Sequence, residues 1–350
     1  MDNQISKALQ EASDSRLAPG AVVGWIKDGK SSITASGHLK YETDSPLVTK
    51  DTTYDVASIT KSIPVSSLVH IAIQEGKLQL DTRTKDILPE LKGKYHDLIT
   101  IEHLLTYTAI WDIPDGLSHY AKNGSQAVYQ TIFESPLIAR PGEKYYYTNT
   151  PAIVLGMIIE KIYTNTLDSI AQEKLFNPLN MHHATFDATH YPDDTVPPTE
   201  KDKHGDVHNI VHDETARALR QSNITSGHAG LFSPVGDILK YCSMILSNGK
   251  TDEGKQILSA ETIEKFENNY VGSIGESASL GWELNQPRFM GNHSNPKMFG
   301  KTGFTGCVVI IDRPKKAAMV ILSNAQYPTR HPNRDSINKL RRTIANIIFE

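Results

Sequence analysis

Ile5, Leu9 and Ala12 recur at helical spacing and predict an amphipathic helix over residues 4–14. The period then changes. Ala21-Val22-Val23-Gly24-Trp25-Ile26 and Ser32-Ile33-Thr34-Ala35-Ser36-Gly37 read as strands, and Lys27-Asp28-Gly29-Lys30 between them is a turn signal, so the pair predicts an antiparallel hairpin. Tyr54-Asp55-Val56 is a short extended run. From Ser58 to about Ile162 the pattern is mostly helical. Ile63 to Ile73 forms an apolar helix core with Gly76 as its C-terminal cap, and Pro64 falls in the first turns, where a helix tolerates it. Thr100 is a candidate N-cap for a helix starting at Ile101, and residues 151–163 predict a strongly apolar helix. Residues 187–222, rich in His, Asp, Thr and Pro, lack periodicity and predict a long irregular excursion. Helix returns over 233–248, with Asp237 early and Gly249 at the end. Strands follow at 280–284, 298–301, 307–312 and 317–322, the last two joined by Arg313-Pro314-Lys315-Lys316, and a helix over roughly 333–348 closes the chain.

Strands at both ends with helices between predict an α+β fold, in which one antiparallel sheet is made from both termini and a helical region is inserted. The expected organisation is a single domain over 1–350, its α/β part at about 1–57 and 265–350 and its mainly helical part at about 58–264. No internal repeat or low-complexity linker interrupts it.

Composition narrows the function classes. Hydrophobic residues are 39%, charged residues 22%, and the formal net charge is −4, so neither a nucleic-acid surface nor a membrane patch is indicated. No apolar run approaches the roughly 20 residues that span a bilayer. Met1-Asp2-Asn3-Gln4 lacks the basic and apolar regions of a secretory signal, which predicts a cytoplasmic protein unless a leader has been trimmed. Cys242 and Cys307 are too few for a disulfide framework and read as buried free thiols. His204, His208 and His212 are spaced four apart and followed by Asp213; on a helix they would line one face and could bind zinc. Gly205 and the missing apolar period favour a His-rich loop near a cleft instead. Neither a metal nor a cofactor is expected. Sequence leaves the oligomeric state open.

Three short motifs carry the candidate chemistry. Ala57-Ser58-Ile59-Thr60-Lys61-Ser62 contains Ser-x-x-Lys, which on a helix sets hydroxyl and amine one turn apart on one face. Lys61 could then help deprotonate Ser58, and a helix N-terminus there would favour developing negative charge. Taken alone, the pair is equally an N-cap serine beside a surface lysine. Tyr147-Thr148-Asn149 offers a phenol as general base and an amide donor from one loop, or else a packed aromatic cluster before a helix capped by Asn149 or Thr150. Lys301-Thr302-Gly303 puts a cation and a hydroxyl on a strand whose glycines permit close backbone approach, or else marks a Gly-rich hairpin bend.

All three occur in this order. On them the chain resembles the serine β-lactamase and penicillin-binding protein superfamily, and its Tyr-x-Asn form resembles the class C branch with family VIII esterases and D-amino-acid peptidases. The resemblance runs from about Ala21 to Arg342. It includes Pro178-Leu179-Asn180-Met181, Gly227-His228-Ala229-Gly230-Leu231-Phe232-Ser233 and Ser323-Asn324-Ala325-Gln326-Tyr327-Pro328-Thr329-Arg330, which are similar to the esterase-type relatives. Two departures stand out. Lys301 occupies a position where many esterase-like relatives carry His or Trp, which leans toward substrates with a carboxylate. Leu104-Leu105-Thr106-Tyr107-Thr108-Ala109-Ile110 replaces the Leu-Leu-Thr-His-Thr-Ser-Gly of relatives, implying a differently shaped loop.

The resemblance implies a serine hydrolase working through an acyl-enzyme. Ser58 would attack a carbonyl, Lys61 would ease its deprotonation, and Tyr147, made more acidic by neighbouring cations, would shuttle the proton and activate the deacylating water. Backbone N–H groups of Ser58 and Phe304 would form the oxyanion hole. Asn149 would orient the acyl side. Lys301, Thr302 and Gly303 would bind substrate, Lys301 holding an anion or supporting Tyr147. His228 reads as a structural or cleft-lining residue. The expected substrates are small esters or peptide-like amides, with weak β-lactam hydrolysis. The competing readings are a β-lactamase, a D-Ala-D-Ala carboxypeptidase or D-aminopeptidase, a penicillin-binding module that acylates without turnover, and a metal-dependent hydrolase using the His cluster.

Overall fold

The computed structural model describes residues 1–331 and 334–350, with Arg334 described by its backbone alone. The N-terminal strands β1 (Gly20–Lys27) and β2 (Lys30–Gly37) form the expected hairpin, with Asp28 and Gly29 at positive φ in its two-residue turn. A short strand β3 (Thr53–Asp55) leads into the Ser-x-x-Lys segment. Strands β4 (Glu200–Asp202) and β5 (Gly205–Val207) form a second hairpin, and β6 (Phe232–Pro234) pairs with β3. The C-terminal strands are β7 (Glu283–Leu284), β8 (Phe299–Thr302), β9 (Val308–Asp312) and β10 (Ala317–Ser323). They join β1 and β2 in one antiparallel sheet of order β2-β1-β10-β9-β8-β7. The two ends of the chain meet where β1 pairs with β10, Val23 opposite Ile321.

Both faces of this sheet are covered, which is why β1 is apolar from Ala21 to Ile26. Ala21, Val23 and Trp25 pack with Ile5 and Leu9 of the helix Asp2–Asp14 and with Ile344, Ile348 and Phe349 of the helix Arg334–Phe349. Val22 faces the other way, into the core that contains Val235, Ile238 and Leu239 of the helix Val235–Leu246. Gly24 lets that helix come close, since a Cβ there would lie 2.7 Å from Leu239 Cδ1. A 13-residue helix is marginal alone. Burying Ile5 and Leu9 on the sheet, at about 1.5–3 kcal/mol each, fixes the N-terminal one. Among the described residues no helix is long and apolar enough to cross a membrane.

Three expectations are corrected. The helix expected from Ile63 is broken: a tight turn over Ala57–Lys61 and a wide one over Ser62–Ser66 precede the regular helix Ser67–Gln74, and Ile63 sits at φ −116°, ψ 106°. Pro64 removes an N–H there, while Ser62 and Ser66 donate to the carbonyls of Gly281 and Leu280. The segment 187–222 is not wholly irregular. It holds the β4–β5 hairpin and a helix, Glu214–Arg220, whose first turn is capped by Asp213 accepting from Ala216 N at 2.9 Å. The strand expected over 280–284 shortens to Glu283–Leu284, because Gly281 turns at φ +84° against Ser66. The first residue expected for the closing helix, Asn333, lies outside the described residues. Elsewhere the caps are as read: Thr100 and His103 form a capping box, and Gly76 at φ +70° ends its helix with Lys77 N donating to Ala72 O.

Candidate active site

Ser58 stands on a bend that its neighbours hold open. Ala57 takes φ +51°, a left-handed conformation that costs a residue with a Cβ about 1–2 kcal/mol. The carboxylate of Asp55 holds it: Oδ1 accepts from Ala57 N at 2.8 Å, and Oδ2 accepts from the backbone N of His212 and lies 2.8 Å from its Nδ1. The Asp55 carbonyl accepts from Thr305 Oγ1. One buried carboxylate thus ties the bend before Ser58 to the segment before the helix Glu214–Arg220. The regular helix begins only at Ser67, so its dipole does not act at Ser58 as expected.

Lys61 is brought to Ser58 by this bend. Its Nζ lies 2.8 Å from Ser58 Oγ and donates to the His228 carbonyl at 2.8 Å. Burial, then the nearby Lys301, push the Lys61 amine well below an ordinary lysine, toward the neutral form. Lys301 is wholly buried and lies between two phenol rings, 4.2 Å from the Tyr147 centroid and 4.8 Å from that of Tyr107. Glu283 lies 3.7 Å from it and also pairs with Arg288. Burial pushes Lys301 down to about 8, with Glu283 working the other way.

Tyr147 is 37% exposed, toward the cleft. Its phenol is pushed up from the ordinary tyrosine value by the surrounding protein, against a hydrogen bond with Ser58. The expectation that neighbouring cations would make it ionise readily is therefore corrected. Lys61 and Lys301 lie over its ring face, and burial is the largest influence on the phenol.

The remaining residues close a cleft of about 260 Å³. Ser58, Tyr147, Asn149, Thr302, Gly303 and Phe304 all line it. Asn149 begins the helix Thr150–Tyr163 without capping it by its side chain, so the amide is left to the cleft. Among the described residues the N–H groups of Ser58 and Phe304 donate to no protein acceptor. Gly303 must be glycine, since a Cβ would meet Val56 O at 2.5 Å. From the terminal helix, Arg341 reaches over and donates to the carbonyls of Gly303 and Cys307. Thr302 Oγ1 donates to Glu283 at 3.3 Å.

The histidines do not gather. His204 is exposed beside the β4–β5 turn, His208 contacts the Val196 carbonyl, and His212 is buried against Asp55. Among the described residues no group of His, Cys, Asp and Glu is placed to hold a metal. His228 lines the cleft, with Nε2 2.7 Å from Asp213 and Nδ1 2.6 Å from Ser226 Oγ.

Sequence reasoning missed what five residues of this site do. Asp55 and Glu283 were given no role, and His212 and Asp213 were read only as a possible zinc cluster or a His-rich loop near a cleft. Tyr107 was noted only as a departure from the relatives' Leu-Leu-Thr-His-Thr. It stands at φ +57° with its hydroxyl 3.4 Å from Lys301 Nζ.

A family model described as Beta-lactamase matches residues 5–342. The chain is 29% identical over 377 residues to a protein of Escherichia coli O157:H7 provisionally named D-alanyl-D-alanine carboxypeptidase, covering 95% of this chain and 85% of that one. It is 25% identical over 358 residues to the N-acetylmuramyl-L-alanine amidase of Bacillus subtilis (strain 168), covering 90% and 80%. Among solved structures it is similar to EstCE1, a hydrolase with promiscuous acyltransferase activity, at TM-score 0.76 and 19% identity over 98% of both chains.

Proposed function

Because the chain belongs to the β-lactamase family and has its α+β fold, we propose that it is a hydrolase working through an acyl-enzyme on Ser58, with small esters or peptide-like amides as substrates. The observation that carries this is the buried amine of Lys61 2.8 Å from the hydroxyl of Ser58. As a neutral amine, Lys61 keeps one N–H on the His228 carbonyl and offers its lone pair to the Ser58 proton. The serine oxygen adds to the substrate carbonyl. The oxyanion that forms is met by the uncommitted N–H groups of Ser58 and Phe304. Tyr147, kept protonated, relays the proton from Lys61 to the leaving group as the tetrahedral adduct collapses. Water then adds to the acyl-enzyme with its proton passing back along the same pair, and Ser58 is released. Asn149 orients the acyl chain from the helix start.

A second reading, a peptidase of D-alanyl peptides or a β-lactamase, is favoured by the name of the Escherichia coli relative and by Lys301-Thr302-Gly303. One experiment separates them. The protein is incubated with p-nitrophenyl acetate or benzylpenicillin, and protein and small-molecule masses are recorded together. The ester is expected to acetylate Ser58 and turn over. Ser58→Ala should lose at least about 10³-fold of that turnover. Full activity in Ser58→Ala would remove the whole reading. Fast penicillin hydrolysis would move the chain to the second one.

A further inference from the structure

The charge on Lys301 is already answered inside the protein. Lys301 is wholly buried, 3.7 Å from the carboxylate of Glu283, which is itself 6% exposed. The same carboxylate pairs with Arg288 at the cleft and accepts from Thr302 Oγ1. One anion therefore serves the two cations and the hydroxyl that would otherwise meet a substrate carboxylate on this side.

The rest of the cleft follows the same pattern. Arg330 holds Glu200 through two nitrogens and Glu214 through a third contact. Arg341 donates to the carbonyls of Gly303, Gly306 and Cys307 and to Asn338. Among the described residues, each arginine that lines the cleft is thus committed to a protein acceptor, and Asp213 and Glu214 add negative charge to the lining. A substrate carboxylate entering here would be desolvated without gaining an unanswered cation, and would have to displace Glu283 or Glu200 to gain one.

We infer that Glu283 is a specificity-determining residue: by neutralising Lys301 and Arg288 it turns the Lys-Thr-Gly edge away from carboxylate-bearing leaving groups and toward uncharged ones. Glu283 acts through Lys301 and is a positioning residue, not a catalytic one. The inference rests on the acyl-enzyme reading above and names its substrate class. It reverses the lean toward carboxylates that Lys301 suggests from sequence alone.

The test is a pair of esters with one acyl group, 3-acetoxybenzoate and its methyl ester, differing only in a charge on the leaving group. Values of kcat/KM are divided by each ester's hydroxide-catalysed rate. The wild-type protein is expected to prefer the neutral ester by about tenfold or more, and Glu283→Gln to shrink that ratio at least about fivefold. A loss of packing alone would slow both esters together and leave the ratio in place. Equal use of the two esters by the wild type, or an unchanged ratio in Glu283→Gln, overturns the inference. Should Glu283→Gln not fold, Arg288→Gln on the exposed rim decides: it leaves Glu283 facing Lys301 alone and should enlarge the neutral preference, and a smaller one refutes the assignment. Failure of the functional reading looks different, because Ser58→Ala would then hydrolyse both esters as fast as the wild type.

Discussion

The amine and phenol side of the cleft, built from Lys61, Lys301, Tyr107 and Tyr147, and the carboxylate and histidine side, built from Asp55, His212, Asp213 and His228, both reach Ser58 but bury charge on different terms. On the first side two amines are neighbours, and burial together with their mutual repulsion pushes Lys61 well down. The carboxylate on this side sits beside Lys301, 3.7 Å away. On the second side each histidine has a carboxylate at 2.7–2.8 Å. Burial alone would lower His212, yet the charge and hydrogen bond of Asp55 lift it above the ordinary value. Asp213 is held below the usual carboxylate range: burial works against this, and His228 outweighs it. One side keeps an amine whose charge is unfavourable next to the serine. The other satisfies nearly every donor and acceptor and so fixes the bend at Ala57. Chemistry and scaffolding are divided between two clusters of similar burial, and the division rests on whether each charge has its partner.

That division is most strongly tested at Lys61. Lys61→Met keeps the volume and removes the proposed base, so turnover of p-nitrophenyl acetate should fall about 10²–10⁴-fold. Stability should hold or rise, because a buried amine whose charge burial disfavours is replaced by an apolar chain. A thermal melt beside the rate measurement checks both. If Lys61→Met melts well below the wild type, the amine is structural and the comparison fails.

Asp55→Asn should give the opposite balance. The amide presents two N–H groups to donors that the carboxylate now accepts from, so the His212 contact and the Ala57 contact compete for one oxygen. Unfolding in urea should show a loss of about 3 kcal/mol, the cost of breaking a buried ion pair. Activity should fall by a smaller factor, about tenfold, as the bend loosens. An unchanged urea midpoint would mean that Asp55 does not hold the bend.

The sheet was legible because the apolar runs at both ends of the chain are short, continuous and bounded by turn residues, as at Lys27–Lys30 and Arg313–Lys316. The three motifs were legible because each is local, and the fold brings Ser58, Lys61, Tyr147, Asn149, Lys301, Thr302, Gly303 and Phe304 together. Asp55 and His212 are 157 residues apart, and Lys301 meets Tyr107 across 194. No window of sequence contains such a pair, so the supporting layer of the site was hidden. The helix Glu214–Arg220 is a different case. Asp213 as cap and Arg217 and Arg220 in the last turn were readable signals, but a seven-residue helix is too short for its period to stand out. The break at Ile63 depends on Ser62 and Ser66 bonding to carbonyls more than 200 residues away. Propensity carries no information of that kind.

His70 supplies a third arrangement, away from the cleft, that sharpens the contrast at the smallest scale. It is buried against Phe266, its Nδ1 lies 2.7 Å from the Ser66 carbonyl, and its Nε2 has no partner within the described residues. Burial pushes it down to about 4. The unfolded chain therefore binds this proton more readily, at about 6.5. Its contribution is complete above pH 6.5 and declines as pH falls from there toward 4. Between pH 7 and 5.5 it should cost about 1 kcal/mol, and His70→Asn should remove that part of the slope in urea midpoints taken at the two pH values. His96, also pushed down to about 4, adds a slope of the same sign that the variant leaves in place. His212 has the reverse sign, because Asp55 raises it: its contribution is present below the unfolded value and is lost as pH rises through the folded one. Replacing His212 should therefore steepen the acid loss that replacing His70 relieves. Two variants with the same pH dependence would show that the carboxylate partner, on which the division between the two sides of the cleft depends, does not set the sign.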